Sequence, residues 1–290
     1  MRKVDYNIIV IGGGSAGLVS AYIASTVKAK VALSEKHKMG GDCLNTGCVP
    51  SKALIHSTKI LSYIKRHREF GLKSASVEFN FSEIMEHIQS VVKKIEPHDS
   101  IKRYTNLGVD CIIGEAKILS PHEVKVNGNT LSSKNIIIAT GAHPSVPPIL
   151  GLDQIDFLTT DNLWNIRELP KRLLIAGGGP IGSELAQCFN RLGSQVTQVE
   201  LMSDILIRED DEFSRALRQR FVNEGIDVQI NTKCKEVVIE KGKQFMLCEK
   251  DGQDQRIEFD KVLIALGRTA NSSGFGLENI GLEFGPSGTI

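Results

Sequence analysis

The chain carries one glycine fingerprint twice, and no other feature narrows its possible folds so far. The apolar run Tyr6–Ile11 leads straight into Gly12, Gly14 and Gly17, followed by an alanine-rich helical stretch ending near Lys28. Later, RLLIAGGGPIGSELA repeats the arrangement with Gly177, Gly179 and Gly182. In a strand–GxGxxG–helix turn the glycines allow a tight bend, close approach of a pyrophosphate and close helix–strand packing. The helix N-terminus adds an anion site. In each copy the next apolar run ends on an acid, Glu35 or Glu200, at the distance where a carboxylate accepts bonds from ribose hydroxyls. All four positions are offset by the same 165 residues, a register that independent chance matches do not keep. The expectation is an α/β chain with two Rossmann-like nucleotide-binding domains, each a parallel sheet with helices and a small β-meander.

A second motif bears on chemistry. In GGDCLNTGCVPSK, Gly40 to Lys52, a glycine-rich loop passes into a helix beginning near Pro50, and Cys43 and Cys48 are separated by four residues. Proline suits the first turn of a helix. The N–H groups and positive dipole end there lower the pKa of a nearby thiol, which makes Cys48 a reactive thiolate when reduced and the two cysteines a redox pair. Two buried thiols, or half of a zinc site, are the competing readings. A zinc site needs two more ligands at short spacing, which Cys111, Cys188, Cys234 and Cys248 do not supply. Six cysteines without a framework-like spacing fit a reducing compartment, inferred to be the cytoplasm. A net charge near +1, with basic residues scattered, gives no reason to expect nucleic acid or an acidic membrane, and no apolar segment approaches membrane-spanning length.

The whole of Gly40–Lys52 resembles the active-site signature of the flavoprotein disulfide reductases, which include dihydrolipoamide dehydrogenase, mercuric ion reductase and glutathione reductase. The resemblance implies FAD in the first domain, NAD in the second, and a disulfide or dithiol substrate. It makes Cys48 the flavin-facing, charge-transfer thiol and Cys43 the thiol that exchanges with substrate. It makes Lys52, four residues after Cys48, the partner of Glu184. It assigns Gly12, Gly14, Ser15, Ala16, Gly17, Glu35, Lys36, Gly41, Asp42, Cys43, Cys48, Lys52, Gly114, Ala116 and the segment Ala139, Thr140, Gly141 to the FAD side. Gly177, Gly179, Ile181, Gly182, Glu200, Val237, Gly267 and Arg268 complete the cofactor-contacting set. No metal is expected. His56 is declined as a general base, because the family's base is a histidine in a C-terminal interface domain supplied by the other subunit of a homodimer.

Along the chain, helices are expected over Ser51–Glu69 and, broken at Pro97, over Phe81–Tyr104. Short strands are expected at Val109–Ile113, Ala116–Leu119, Val124–Val126 and Asn135–Ala139, with a proline-rich linker at His143–Gly151. The second half repeats the plan, with helices Pro180–Leu192 and Asp211–Glu224, β runs around Val237 and Phe245, and a last strand Lys261–Ala265. That strand enters Leu266–Asn271, similar to the family's GRxPN turn with Ala270 in place of proline. The division expected is an FAD-binding domain over 1–147, an NAD-binding domain over 148–267 and a segment returning to the first domain over 268–290. Against the family the chain reads as truncated after Ile290, short of an aspartate that holds the flavin side chain. Pro180, where glutathione reductases often carry tyrosine, argues against that member. A dihydrolipoamide dehydrogenase-like enzyme is the leading reading. A mercuric reductase-like enzyme, a flavoprotein oxidase or diaphorase, and a non-catalytic nucleotide-binding module are the alternatives.

Overall fold

The computed structural model describes residues 4–285 and 288–290, so residues 286 and 287 of the returning segment lie outside the described residues. In the first half, β1 (Tyr6–Ile11), α1 (Ser15–Thr26) and β2 (Val31–Glu35) form a βαβ turn. The short helix α2 (Gly41–Asn45), the long helix α3 (Cys48–Lys65), α4 (Phe81–Ile95) and α5 (Ile101–Asn106) follow. After these come β3 (Val109–Ile113), β4 (Ala116–Ser120), β5 (Glu123–Val126), β6 (Asn129–Ile138) and β7 (Ala142–Pro144). The second half contains β8 (Arg172–Ala176), α6 (Pro180–Leu192), β9 (Gln195–Val199), α7 (Asp211–Glu224), β10 (Asp227–Gln229) and β11 (Thr232–Glu240). It ends with β12 (Lys243–Lys250), β13 (Gln253–Phe259), β14 (Lys261–Ile264) and β15 (Arg268–Ala270).

The chain divides into two compact units. The first comprises Met1–Pro50, Ser90–His143 and Arg268–Ile290. Its six-stranded sheet has the order β3-β2-β1-β6-β5-β4. The four strands from β3 to β6 are parallel, and residues 31–34 of β2 are all buried, as a strand covered on both faces requires. β6 serves two purposes. Residues 129–132 pair antiparallel with β5, while residues 133–138 run parallel to β1, so one strand joins the meander to the nucleotide-binding sheet. α1 buries Gly17, Leu18, Ala21, Ala24 and Ser25, one helical face, against that sheet. Pro97 ends the helix begun at Phe81, as expected. A single 3-10 turn, Glu96–Asp99, follows, and the Ser100 hydroxyl accepts from Arg103 N to start α5.

The second unit comprises Ser51–Gln89 and Pro144–Gly267. It holds a parallel sheet of order β10-β9-β8-β14 and an antiparallel sheet β11-β12-β13. The sequence division at 147/148 puts residues 51–89 in the first domain, but by packing they group with the second unit. Leu54 of α3 and Phe81, Met85 and Ile88 of α4 share one buried cluster with Leu173, Ile175, Leu185, Phe189 and Leu263. Burying such side chains contributes roughly 1.5–3 kcal/mol each, and this decides where the segment docks. Two boundaries also differ from expectation. α3 begins at Cys48, two residues before Pro50, and Cys43 lies on the separate helix α2 instead of in a loop.

Candidate active site: a cysteine pair docked on a nucleotide loop

In the first unit the redox motif and the first fingerprint are one structure. Gly40 N donates to Gly13 O at 2.9 Å. Gly41 has φ +54°, and a Cβ there would lie 2.6 Å from the Gly14 Cα. The two glycine segments therefore touch backbone to backbone, and only residues without side chains permit it. This contact sets α2, with Cys43, at the start of α1. Cys43 is half-buried and Cys48 is exposed. Burial pushes the Cys43 thiol up first, and its hydrogen bond to Cys48 and that sulfur's charge push it further, while the Ser15 side chain bonds Cys43 and opposes the rise. Cys43 is thereby held towards its protonated form. A cleft of about 420 Å³ opens beside Cys43, walled by Ser15, Tyr22, Ile95, Asp99, Arg103 and Tyr104 among others.

The same loop can hold a dinucleotide. Gly12 has φ +107°, and a Cβ there would lie 2.2 Å from Ala139 O, while a Cβ at Gly17 would lie 1.8 Å from Gly12 O. The first turn of α1 has no side-chain cap and no acid, so its N–H groups face outward uncompensated, as a pyrophosphate site requires. The second unit repeats this geometry. Gly177 has φ +122°, with Cβ space closed by Ala265 O, Gly182 abuts Gly177 O, and nothing lies within 4 Å of a Cβ at Gly179. The start of α6 likewise has neither a side-chain cap nor a first-turn acid. The residues present therefore fit a dinucleotide in each unit.

Both acids have a second duty that the sequence did not reveal. Glu35 accepts from Gly13 N at 2.6 Å and His37 N at 2.7 Å. Glu200 accepts from Gly178 N at 2.5 Å and Met202 N at 2.8 Å. Each carboxylate pins its own glycine loop and, with about four acceptor sites, still has capacity for a ribose. In the second unit Lys52 Nζ donates to Glu184 Oε1 at 2.6 Å, with both side chains partly exposed.

The remaining assigned residues fall into four groups. Arg268 pairs with Asp42 and also donates to Ala142 O at 2.5 Å, tying α2 to β7. Gly114 N donates to Glu35 O, Gly114 O accepts from Ser34, and Ile181 stands at the exposed start of α6. Ala116 and Val237 are buried, their side chains turned into hydrophobic clusters, so their contribution to a cofactor would be through the main chain. Ala16 opens α1, Lys36 is exposed at the end of β2, and Gly267 accepts from Ser145 N. One residue outside the assigned set matters. Asn271 N donates to Gly141 O, its Nδ2 donates to Thr140 O, and its main-chain O accepts from the Thr140 hydroxyl, so it clamps the Thr140-Gly141 segment from the returning chain. Its place in the turn after Arg268 was the available signal. His56 is exposed on α3.

Residues 6–290 match the family described as pyridine nucleotide-disulphide oxidoreductase. The chain belongs to that family. It is 39% identical over 284 residues to a dihydrolipoyl dehydrogenase of Acholeplasma laidlawii, covering 96% of this chain and 82% of the relative. It is 32% identical to a mercuric reductase of Staphylococcus aureus, covering all of this chain and 53% of the relative. Among solved structures, an HOCl-induced flavoprotein disulfide reductase of Escherichia coli is similar, with TM-score 0.84, 27% identity, and coverage of 98% of this chain and 62% of that one. The chain thus spans about half the length of the mercuric reductase, and more of the dehydrogenase. The α/β architecture is that of the flavoprotein disulfide reductases. Among the described residues no helix is long and apolar enough to cross a membrane.

Proposed function

We propose that this chain carries electrons between NAD(H) and a disulfide or dithiol through Cys43 and Cys48, as an FAD-dependent, dihydrolipoamide dehydrogenase-like oxidoreductase. The supporting observation is the docking of the Gly40–Gly41 turn on the Gly12–Gly17 loop, which holds a hydrogen-bonded thiol pair at a nucleotide site. FAD bound there would join the hydride chemistry of a nicotinamide to the two-electron chemistry of a disulfide. In the disulfide-reducing direction Cys43 gives up its proton to a base as it attacks one substrate sulfur, and the other sulfur leaves as a thiolate. Cys48 then attacks the Cys43 sulfur, releases the second substrate thiolate and closes the Cys43–Cys48 disulfide. The substrate loses its S–S bond and gains two electrons, and the pair gains an S–S bond and gives up two. Substrate reaches Cys43 along the cleft bordered by Tyr22, Ile95 and Tyr104. Lys52, anchored by Glu184 one helical turn beyond Cys48, stabilises the thiolate. NAD is read over NADP because a 2′-phosphate would meet the Glu200 carboxylate. A homodimer whose partner supplies that base, in a reducing cytoplasm, completes this reading.

Reconstitution with FAD and reduction by NADH tests it. The expected result is a yellow protein in which reduction of the flavin is accompanied by two new thiols. FAD binding with no response of the thiols to NADH would favour a diaphorase, and no FAD binding would remove the reading.

A further inference from the structure

The six cysteines contain a second opposed pair, distant in sequence from Cys43 and Cys48. Cys234 on β11 and Cys248 on β12 are direct partners in the antiparallel ladder, beside an irregularity between Cys234 and Glu236. Residues directly opposite in such a ladder have Cα atoms about 4.5–5.5 Å apart, inside the span of roughly 4.4–6.8 Å that a disulfide bridges. The two sulfurs are close enough to shift each other's ionisation. Cys248 is fully buried in the middle strand of the β11-β12-β13 sheet, whereas Cys234 is half-buried against the same hydrophobic cluster, so Cys234 is the more accessible of the two. Cys188, by contrast, is a buried thiol bonded to Thr58 with no cysteine opposite it.

We propose that Cys234 and Cys248 form a second dithiol–disulfide couple, closed by a hydroperoxide across the β11–β12 ladder. Cys234, the less covered of the two, is the attacking sulfur, and its proton passes to the departing oxygen. That sulfur takes the terminal oxygen of the peroxide, the O–O bond breaks, and the alcohol or water leaves with a proton. Cys248 then displaces the hydroxyl group of the Cys234 sulfenic acid, and water leaves as the S–S bond forms. Two thiols are oxidised by two electrons, one peroxide is reduced, and the two thiol protons end on the alcohol and the water. The neighbouring Cys248, burial and the Glu200 charge all hold the Cys234 thiol up, so its proton leaves only as the O–O bond breaks. The couple lies close to the second nucleotide loop. Thr232, two residues before Cys234, donates its N–H to Glu200 O at 2.9 Å, and the Glu200 charge acts on the Cys234 sulfur. The inference is independent of the reading of Cys43 and Cys48.

The test uses the full chain with Cys43→Ser and Cys48→Ser, which leaves Cys111, Cys188, Cys234 and Cys248. The protein is exposed to excess tert-butyl hydroperoxide, and thiols are counted in denaturant before and after, with peptide mapping under non-reducing conditions. The expected result is a fall from four thiols to two, a single linked peptide pair joining Cys234 to Cys248, and full recovery with dithiothreitol. Adding Cys234→Ser should abolish the linked pair and leave Cys248 a thiol. Four thiols remaining, a different linkage, sulfinic acid on Cys234 without a link, or thiol loss that persists in the Cys234→Ser background would each overturn the proposal.

Discussion

At the scale of single residues, the two cysteines of α2 and α3 should separate cleanly. Burial and the neighbouring Cys48 hold the Cys43 thiol up, and in the proposed reading Cys48 is the sulfur that faces the flavin. In the FAD-loaded, two-electron-reduced protein a long-wavelength thiolate-to-flavin absorption band should therefore vanish in Cys48→Ser and survive in Cys43→Ser. Loss in both, or in neither, would reverse the assignment. Glu200 makes a second residue-scale prediction. A carboxylate and a 2′-phosphate charge about 4 Å apart repel by roughly 4 kcal/mol at an effective dielectric of 20, and solvent cuts that to roughly 1–3 kcal/mol. Calorimetry should find NADP bound one to two decades more weakly than NAD, and Glu200→Gln should narrow the gap. Because the same carboxylate pins Gly178 and Met202, the variant should also weaken NAD itself. Equal affinities in the unaltered protein would mean that Glu200 does not face the ribose.

At the scale of elements, the docking of α2 on the first glycine loop should be brittle. Gly41→Ala asks a left-handed residue to take a side chain and drives its Cβ towards the Gly14 Cα. Strain of this kind costs about 1–3 kcal/mol, so thermal unfolding should show lower stability and FAD binding should weaken at least tenfold, while Gly71→Ala, whose Cβ meets nothing, should spare FAD. The ends of α6 and α7 make a separate prediction. Glu224 is bound by Arg191 at 2.9 Å and Arg220 at 2.6 Å. Burial raises its pKa, but the two arginine hydrogen bonds outweigh that and leave it below the ordinary value. A carboxyl depressed by folding stabilises above its unfolded pKa of about 4.3 and loses that contribution as pH falls through the folded value. Glu224→Gln should therefore cost about 1.5–3 kcal/mol at neutral pH, and the difference from the unaltered protein should shrink below about pH 4. Denaturant unfolding across pH checks it, and a gap that persists in acid would show that packing, not charge, is lost.

At the scale of the whole chain, what could be read in advance is what short-range chemistry dictates. Gly12 and Gly177 must bend the chain where they do, Pro97 must end a helix, and Cys43 and Cys48 announce themselves by spacing. Long-range packing left no such mark. Nothing local to Leu54 or Met85 tells which sheet will bury them, and residues 51–89 pack with the second unit across the division drawn from the sequence. The Asn271 clamp, the loop-pinning duty of the two acids and the Cys234–Cys248 opposition all depend on partners brought together by the fold. In the proposed reading two nucleotide sites serve one cysteine pair, and a single measurement bears on that directly. The FAD-loaded protein, its Cys43–Cys48 pair first oxidised, is titrated anaerobically with NADH, denatured under a thiol label and mapped by mass spectrometry. The expected result is one NADH consumed per pair opened, with label appearing on Cys43 and Cys48 together. Flavin reduced by NADH while both cysteines stay joined would contradict the account.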